Sequence, residues 1–389
     1  MTNGKAKSET KKLALIGCGA RLRNVVEGTL RAAPAGSIEI SDLYDPDPDS
    51  VAAARKLAPG AVCHNSVDGL LGRSCAGWVA IGSPNSEHAS QSVAALDAGR
   101  HVFCEKPLAT SVDDCERIRD AVLRNPERIF FFGLVLRYSP FYRRIKQLLD
   151  AGEIGKIISF EFNETLSFFH GGYIHGNWRR HRAVAGTHVL EKCCHDLDIA
   201  NWLTGSLPRR AASFGGLAFF TPENRFMEEK LGADDEGRPA YKVWADPHGI
   251  SPFNEDKNIV DHQVAILEYR NGVKATFHTN CHAGLPERRF YICGTDGSLR
   301  CDALTSEIEI QKVGFNQNVV REVIGEGGGH AGADLPMQQA LASSILTGSL
   351  PSAGLDEGLK SSLAAFAIDE ALDKGCVVDT AEMSGRLGF

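Results

Sequence analysis

The sequence predicts an α/β protein whose first third is a doubly wound parallel sheet and whose remainder is an α+β half built on a mostly antiparallel sheet. Two observations carry this. Up to about residue 134, short apolar runs alternate with helix-compatible stretches of ten or so residues, the pattern of parallel strands joined by crossover helices. Beyond it the strand-like runs lie closer together, and Asn271-Gly272 separates two of them as a hairpin turn would.

The elements follow in order. Residues 13–16 are a short apolar strand ending in Gly17-Cys18-Gly19, and a helix is expected over 21–32. Residues 38–44 read as a second strand ending at Asp45, 50–57 as a helix and 77–81 as a strand. A helix over 87–98, a brief strand over 101–103, a helix over 112–123 and a strand over 129–133 complete this half, assigned to 11–134. In the second half, 135–389, strands are expected at 157–162, 264–269 and 273–279, joined by short turns into one antiparallel sheet. A polar, irregular insertion spans 221–258, and the chain returns to helix over about 335–374.

Composition excludes several classes of function. With 42 basic against 49 acidic side chains the net charge is −7, so there is no clustered positive surface to neutralise nucleic-acid phosphates. The basic run Arg179-Arg180-His181-Arg182 is too short to change this. No apolar run of about 18 residues exists to span a bilayer. Residues 1–12 are polar and lysine-bearing without an apolar core, so a loose tail is expected rather than a signal peptide. Eleven cysteines without a secretion signal point to free thiols in a reducing, cytoplasmic setting.

The glycine pair carries the first chemistry. In Gly17-Cys18-Gly19-Ala20-Arg21-Leu22 the glycines let the backbone turn tightly and approach a pyrophosphate at a helix N-terminus. The usual third glycine is replaced by Leu22. Asp45, at the end of the second strand, is placed to bind ribose hydroxyls. A 2′-phosphate there would meet like charge, roughly 4 kcal/mol per pair at about 4 Å and an effective dielectric near 20. Solvent softens that figure, and its sign favours NAD over NADP.

The second chemistry is acid–base. Oxidising a secondary alcohol needs a proton acceptor within hydrogen-bond reach of the oxygen. His195 suits that role because imidazole titrates near neutral pH. Glu191 precedes it by one helical turn and shares its face, placed to orient the ring or bind a hydroxyl. Lys192 shares that face too, either bridging Glu191 or Asp198 or binding substrate. Lys106 follows the strands of the nucleotide half, where an ammonium group can stabilise an alkoxide or relay a proton. His170, Tyr173, His175 and Trp178, with Arg179 beside them, form a polar-aromatic, glycine-bearing loop. Cys193-Cys194-His195 is not read as a metal site, since adjacent cysteines diverge on a helix and further ligands such as Cys281 or His282 would have to come from afar.

Taken together, these segments resemble the Gfo/Idh/MocA oxidoreductase family over nearly the whole chain. The resemblance rests on Gly17-Cys-Gly19, Ser83-Pro-Asn-Ser-Glu-His88, Glu105-Lys-Pro107, Arg137-Tyr138, Trp178-Arg179, Glu191-Lys-Cys-Cys-His195 with Asp198, Gly294-Thr-Asp-Gly297 and Gly329-His-Ala-Gly-Ala-Asp334. It implies a Rossmann domain followed by an open-faced sheet domain, an active site between them, dimers or tetramers formed through the sheet face, and carbohydrate or polyol substrates. It makes Lys106 the lysine beside the nicotinamide and His195 the catalytic histidine, with Glu191 where relatives often carry aspartate. It places Ala20, Arg21, Ser83, Pro84, Asn85, His88 and Glu105 at the cofactor, and the loop with Tyr173, His175, Trp178 and Arg179 near the substrate. The expected activity is hydride transfer between a sugar, glycoside or polyol hydroxyl and NAD. An alternative, also found among relatives, is redox-neutral glycoside hydrolysis through transient oxidation (often at C3), elimination, hydration and re-reduction. A cofactor-binding sensor without chemistry is disfavoured by the presence of both Lys106 and His195.

Overall fold

The computed structural model describes residues 10–244, 246, 248–325, 327–328 and 330–389. The expected N-terminal tail lies mostly outside them. The chain forms two compact units: Met1–Ala109 with Asp113–Tyr138 and Ala333–Gly358, and Thr110–Val112 with Ser139–Gly332 and Leu359–Phe389.

The first unit holds a six-stranded sheet of β1 (Lys11–Ile16), β2 (Ile38–Tyr44), β3 (Val62–Cys63), β4 (Trp78–Ile81), β5 (His101–Cys104) and β6 (Phe130–Phe132). All pairs are parallel and the order is β3-β2-β1-β4-β5-β6, the doubly wound order that leaves a crevice where the winding reverses beside β1. Residues Leu13 to Ile16 are wholly buried, as a central parallel strand covered on both faces requires. The helix Ala20–Ala32 buries Leu22, Val25, Val26 and Thr29, a single stripe at helical spacing. Sequence periodicity missed β3 and the helix Val67–Arg73 because both are very short.

The expected helix over 335–374 is two helices, Asp334–Thr347 and Leu355–Lys374. The first returns to the nucleotide half. A Cβ on Gly28 would fall 2.1 Å from the Gln338 amide, and that amide donates to the Asn24 carbonyl at 3.3 Å.

The second unit holds nine strands: β7 (Ile157–Ser167), β8 (Pro208–Gly216), β9 (His262–Tyr269), β10 (Lys274–Ala283), β11 (Arg289–Gly294), β12 (Gly297–Asp302), β13 (Glu307–Lys312), β14 (Val320–Val323) and β15 (Val378–Asp379). Their order is β14-β13-β12-β11-β7-β10-β9-β8-β15. The Asn271-Gly272 hairpin joins β9 and β10 as expected, with Gly272 at φ +91°. Two expectations are corrected. β7 runs parallel to β10, and only β9 and β10 of the three expected strands are joined by a tight turn. The chain between β7 and β9 instead runs through helices, including Phe168–Gly176 and His188–Thr204, and through β8.

One face of this sheet is packed with Phe160, Phe162, Phe277 and Phe290, whose rings stack or tilt at 4.8–6.2 Å. The other face is open and carries an apolar patch in which Phe214 is 74% and Ile266 59% exposed, with Val264 beside them, next to the polar Glu161, Thr276, His278 and Arg289. The insertion is not merely irregular. It contains the helix Phe226–Leu231 and contributes Ala240, Tyr241 and Phe253 to a buried cluster with Leu166, Ile174, Phe220, Ile259 and Cys281. Asp261 anchors it by accepting the Ala218, Phe219 and Phe220 N–H groups at 2.7–3.2 Å. Among the described residues no helix is long and apolar enough to cross a membrane.

Candidate active site

In the first unit the glycine loop is built by close approach. Gly17 sits at φ +81°, and a Cβ on it would lie 2.4 Å from the Ser83 nitrogen. No other residue fits there. The absent third glycine is explained by Gly82. A Cβ on Gly82 would lie 2.6 Å from Leu22 Cβ, so the close helix–strand contact is made by a glycine on the strand side. Gly19 starts the helix without a side-chain hydrogen bond among the described residues, leaving its first-turn N–H groups to an anion. These features fit a dinucleotide pyrophosphate.

Asp45 is tied into the same loop. It accepts the Cys18 N–H at 2.6 Å and the Asp47 N–H at 2.8 Å, which fixes its carboxylate beside the glycine turn. Asp47 is a helix cap, accepting from Asp49 and Ser50. Arg21 is committed to carboxylates rather than left for a phosphate: it donates to Glu105 at 3.0 Å and Asp334 at 2.6 Å. Glu105 in turn accepts the Lys106 N–H at 3.2 Å. His88 is buried between the Pro107 carbonyl (2.7 Å) and the Ser83 carbonyl (3.1 Å), and burial lowers its pKa. It ties the Ser83-Pro84-Asn85 turn to the loop bearing Lys106, which is half-buried and precedes a cis Pro107.

In the second unit the decisive element is the helix His188–Thr204. Thr187 caps it by accepting the Leu190 N–H at 3.1 Å, and Gly205 ends it in a left-handed conformation. It is buried nearly all round, yet it carries Glu191, Lys192, His195, Asp196 and Asp198. Charges so placed need partners, and neighbouring elements supply them. Arg179 donates to Glu191 at 3.0 Å, to the Tyr173 hydroxyl at 3.1 Å and to Asn177 at 3.1 Å, and stacks on Trp178 at 4.3 Å. Lys192 pairs with Glu164 of β7 at 2.6 Å, not with Glu191 or Asp198 as the sequence allowed. Arg288 completes the set, gripping Asp196 through two 2.8 Å bonds and reaching Glu164 at 3.4 Å. Burial alone would raise Glu164, but the Arg288 and Lys192 charges hold it well below the carboxylate range. Burial pushes Asp196 up to about 7 against the pull of Arg288.

Two stretches of the chain match two parts of one family. Residues 11–132 match the profile of an oxidoreductase family's NAD-binding Rossmann fold, and 146–379 match its C-terminal alpha/beta domain. The chain belongs to the Gfo/Idh/MocA oxidoreductase family. Within that family it is similar to inositol 2-dehydrogenase 2 of Saccharopolyspora erythraea, 30% identical over 197 residues, covering 50% of this chain and 54% of that one. The chain thus spans about half the length of that curated relative. Among solved structures its fold is similar to levoglucosan dehydrogenase in complex with NADH and levoglucosan (TM-score 0.76, 18% identity, 96% of this chain and 100% of that one). It is also similar to a Desulfitobacterium hafniense oxidoreductase described as NADPH-dependent (TM-score 0.73, 19% identity, 96% and 99%).

In this Gfo/Idh/MocA protein several side chains take places that spacing did not reveal. The expected loop with His170, Tyr173, His175 and Trp178 is the helix Phe168–Gly176 followed by the turn Trp178–Arg180. His175 is wholly buried, stacked on Phe220 at 4.5 Å, and burial holds its pKa well down. It is placed as a core residue, not at a substrate surface. The basic run is neutralised piecewise, Arg180 and His181 on Asp256 and Arg182 on Asp373. His188 meets Thr279 at 3.0 Å and the Cys281 and Cys193 sulfurs at 3.6–4.0 Å. The described residues form no group able to hold a metal. Four residues were missed. Glu164, Arg288 and Asp196 sit far apart in sequence with no motif to join them. His330, whose ring centroid is 6.2 Å from that of His195, lay in a family segment that carried no assigned role.

Proposed function

We propose that this protein transfers a hydride between a secondary hydroxyl of a sugar or polyol and NAD, with Lys106 and His195 serving the same reacting hydroxyl. The observation that carries the reading is the buried helix on which Glu191, Lys192 and His195 share a face while Arg179 and Glu164 neutralise the two charges. Such paired charges form a rigid polar surface suited to hydroxyl groups, and the imidazole on it is a side chain able to accept a hydroxyl proton. The names of the relatives, an inositol dehydrogenase and a levoglucosan dehydrogenase, support the substrate class.

Gly17, Gly19 and Ala20 would hold the pyrophosphate and Asp45 the ribose, while Ser83, Pro84, Asn85, His88 and Glu105 shape the floor beneath. The nicotinamide, when bound, supplies the hydride acceptor. His195 takes the hydroxyl proton as the hydride leaves carbon. Lys106 holds the oxygen as charge builds on it. Glu191, fixed by Arg179, binds a neighbouring hydroxyl. Asp45 favours NAD, since a 2′-phosphate beside it would meet like charge. A second copy of the chain covers the open sheet face around Phe214, Val264 and Ile266, because an apolar patch of that kind is unusual on a monomer.

The test is formation of reduced nicotinamide with inositol isomers, levoglucosan and simple sugars. Lys106→Ala and His195→Ala are expected to lose turnover by at least about a hundredfold while NAD still binds. Full activity in both variants overturns the assignment.

A further inference from the structure

We propose that the insertion builds a second ring-binding subsite beside Glu191, so that the natural substrate is a glycoside or disaccharide rather than a free sugar or inositol. The proposal rests on the dehydrogenase reading of the Glu191–His195 helix and narrows its substrate.

Within the second unit a cavity of about 370 Å³ is lined by Gly172, Tyr173, Tyr241, Trp244 and Asp246, among others. That volume lies in the range of small-molecule pockets. The cavity is a product of close packing. A Cβ on Gly172 would lie 2.6 Å from the Tyr241 carbonyl, and one on Gly176 2.6 Å from that of Ile250. Side chains at either position would push the insertion off the helix Phe168–Gly176.

One lining side chain is left in a state that a ligand would complete. Trp244 is 41% exposed although it packs edge-on to Tyr173 at 5.4 Å and against His170 at 4.5 Å. Of the insertion's other aromatic rings, Tyr241 and Phe253 are buried and Phe226, away from the cavity lining, is exposed. An indole ring and the Asp246 carboxylate lining one cavity match a ring with one apolar face and a hydroxylated edge.

The cavity is linked to the proposed catalytic helix through hydrogen bonds. The Tyr173 hydroxyl accepts from Arg179, which grips Glu191. Asp246 accepts from Asn177, whose amide oxygen accepts from the same guanidinium. A hydroxyl bound at Glu191 and a ring at Trp244 are therefore held by one rigid assembly.

The experiment compares NAD reduction with glucose, phenyl β-glucoside and cellobiose in the full-length protein and Trp244→Ala. The kcat/KM ratio of each glycoside to glucose is expected to exceed one in the parent and to fall about tenfold in the variant, equivalent to about 1.4 kcal/mol. An unchanged ratio overturns the subsite. If none of the three sugars is oxidised, the dehydrogenase reading fails on these substrates, and the subsite is judged by tryptophan fluorescence. Quenching by phenyl β-glucoside and cellobiose that is lost in Trp244→Phe supports it. Equal quenching in the variant, or none in the parent, refutes it.

Discussion

Replacing Gly82 by alanine tests whether the missing fingerprint glycine has moved to the other side of its contact. The new Cβ would lie 2.6 Å from Leu22 Cβ and 3.1–3.2 Å from the rest of that side chain, against about 3.5–4.0 Å for carbon atoms at rest. Leu22 Cβ is fixed to the helix backbone and cannot rotate away, so the overlap must be relieved by shifting helix against strand, at about 1–3 kcal/mol. Leu22→Gly alone empties a buried site and adds a helix-interior glycine, costing about 3–6 kcal/mol. In the double variant the overlap disappears. It is expected to be more stable than the sum of the single losses by about 1–3 kcal/mol, with partial recovery of NAD affinity. Leu22→Ala, alone and combined with Gly82→Ala, keeps the offending Cβ and gives no such relief. Urea midpoints and NAD titrations of the five variants decide it. Strict additivity, or equal coupling from Leu22→Ala, would refute the reasoning.

Arg288→Met is expected to destabilise the second unit by about 3–5 kcal/mol, measured by urea unfolding, because Glu164 and Asp196 stay buried without their cation. Adding Asp196→Asn should recover part of that loss. Arg179→Gln is expected to lower kcat/KM by at least about tenfold while NAD binding is kept, since Glu191 and the Tyr173 hydroxyl lose their common donor. Burial depresses His188 to about 4 from 6.5. Its contribution to stability is therefore complete above about pH 6.5 and lost as pH falls toward 4, about 3 kcal/mol in all. Thermal melts across that range in the parent and His188→Gln check the sign, with a shallower slope expected in the variant. Asp45→Ser is expected to narrow the preference for NAD over NADP, read from the two Kd values. Incubation with phenyl β-glucoside separates net oxidation from redox-neutral hydrolysis: the dehydrogenase forms NADH in step with product, whereas phenol released with only catalytic NAD marks the hydrolase.

What spacing alone carried was local. A glycine pair between strand and helix marked the turn, Asp45 marked the end of β2, and Asn271-Gly272 marked a hairpin. The interval from Glu191 to His195 marked one helix face. Each depends only on backbone periodicity or on the steric freedom of glycine, which the order of residues states directly. Helix Asp334–Thr347 was also visible as a helix, but not its return to the first unit, because its partner stripe lies on Ala20–Ala32 near the other end of the chain.

Tertiary structure decided which charge met which. Lys192 had Glu191 next to it and Asp198 on the same helix, yet it pairs with Glu164 on β7, while Glu191 is taken by Arg179. A buried charge is stabilised by the counter-charge that packing brings within hydrogen-bond reach, however distant in sequence. His175 and Tyr173 share a helix two residues apart, and packing of the insertion sends one into the aromatic core and leaves the other at a cavity wall. The residues named the chemistry, and the packing of distant segments chose the members that carry it, since desolvation acts on neighbours in space and not in sequence.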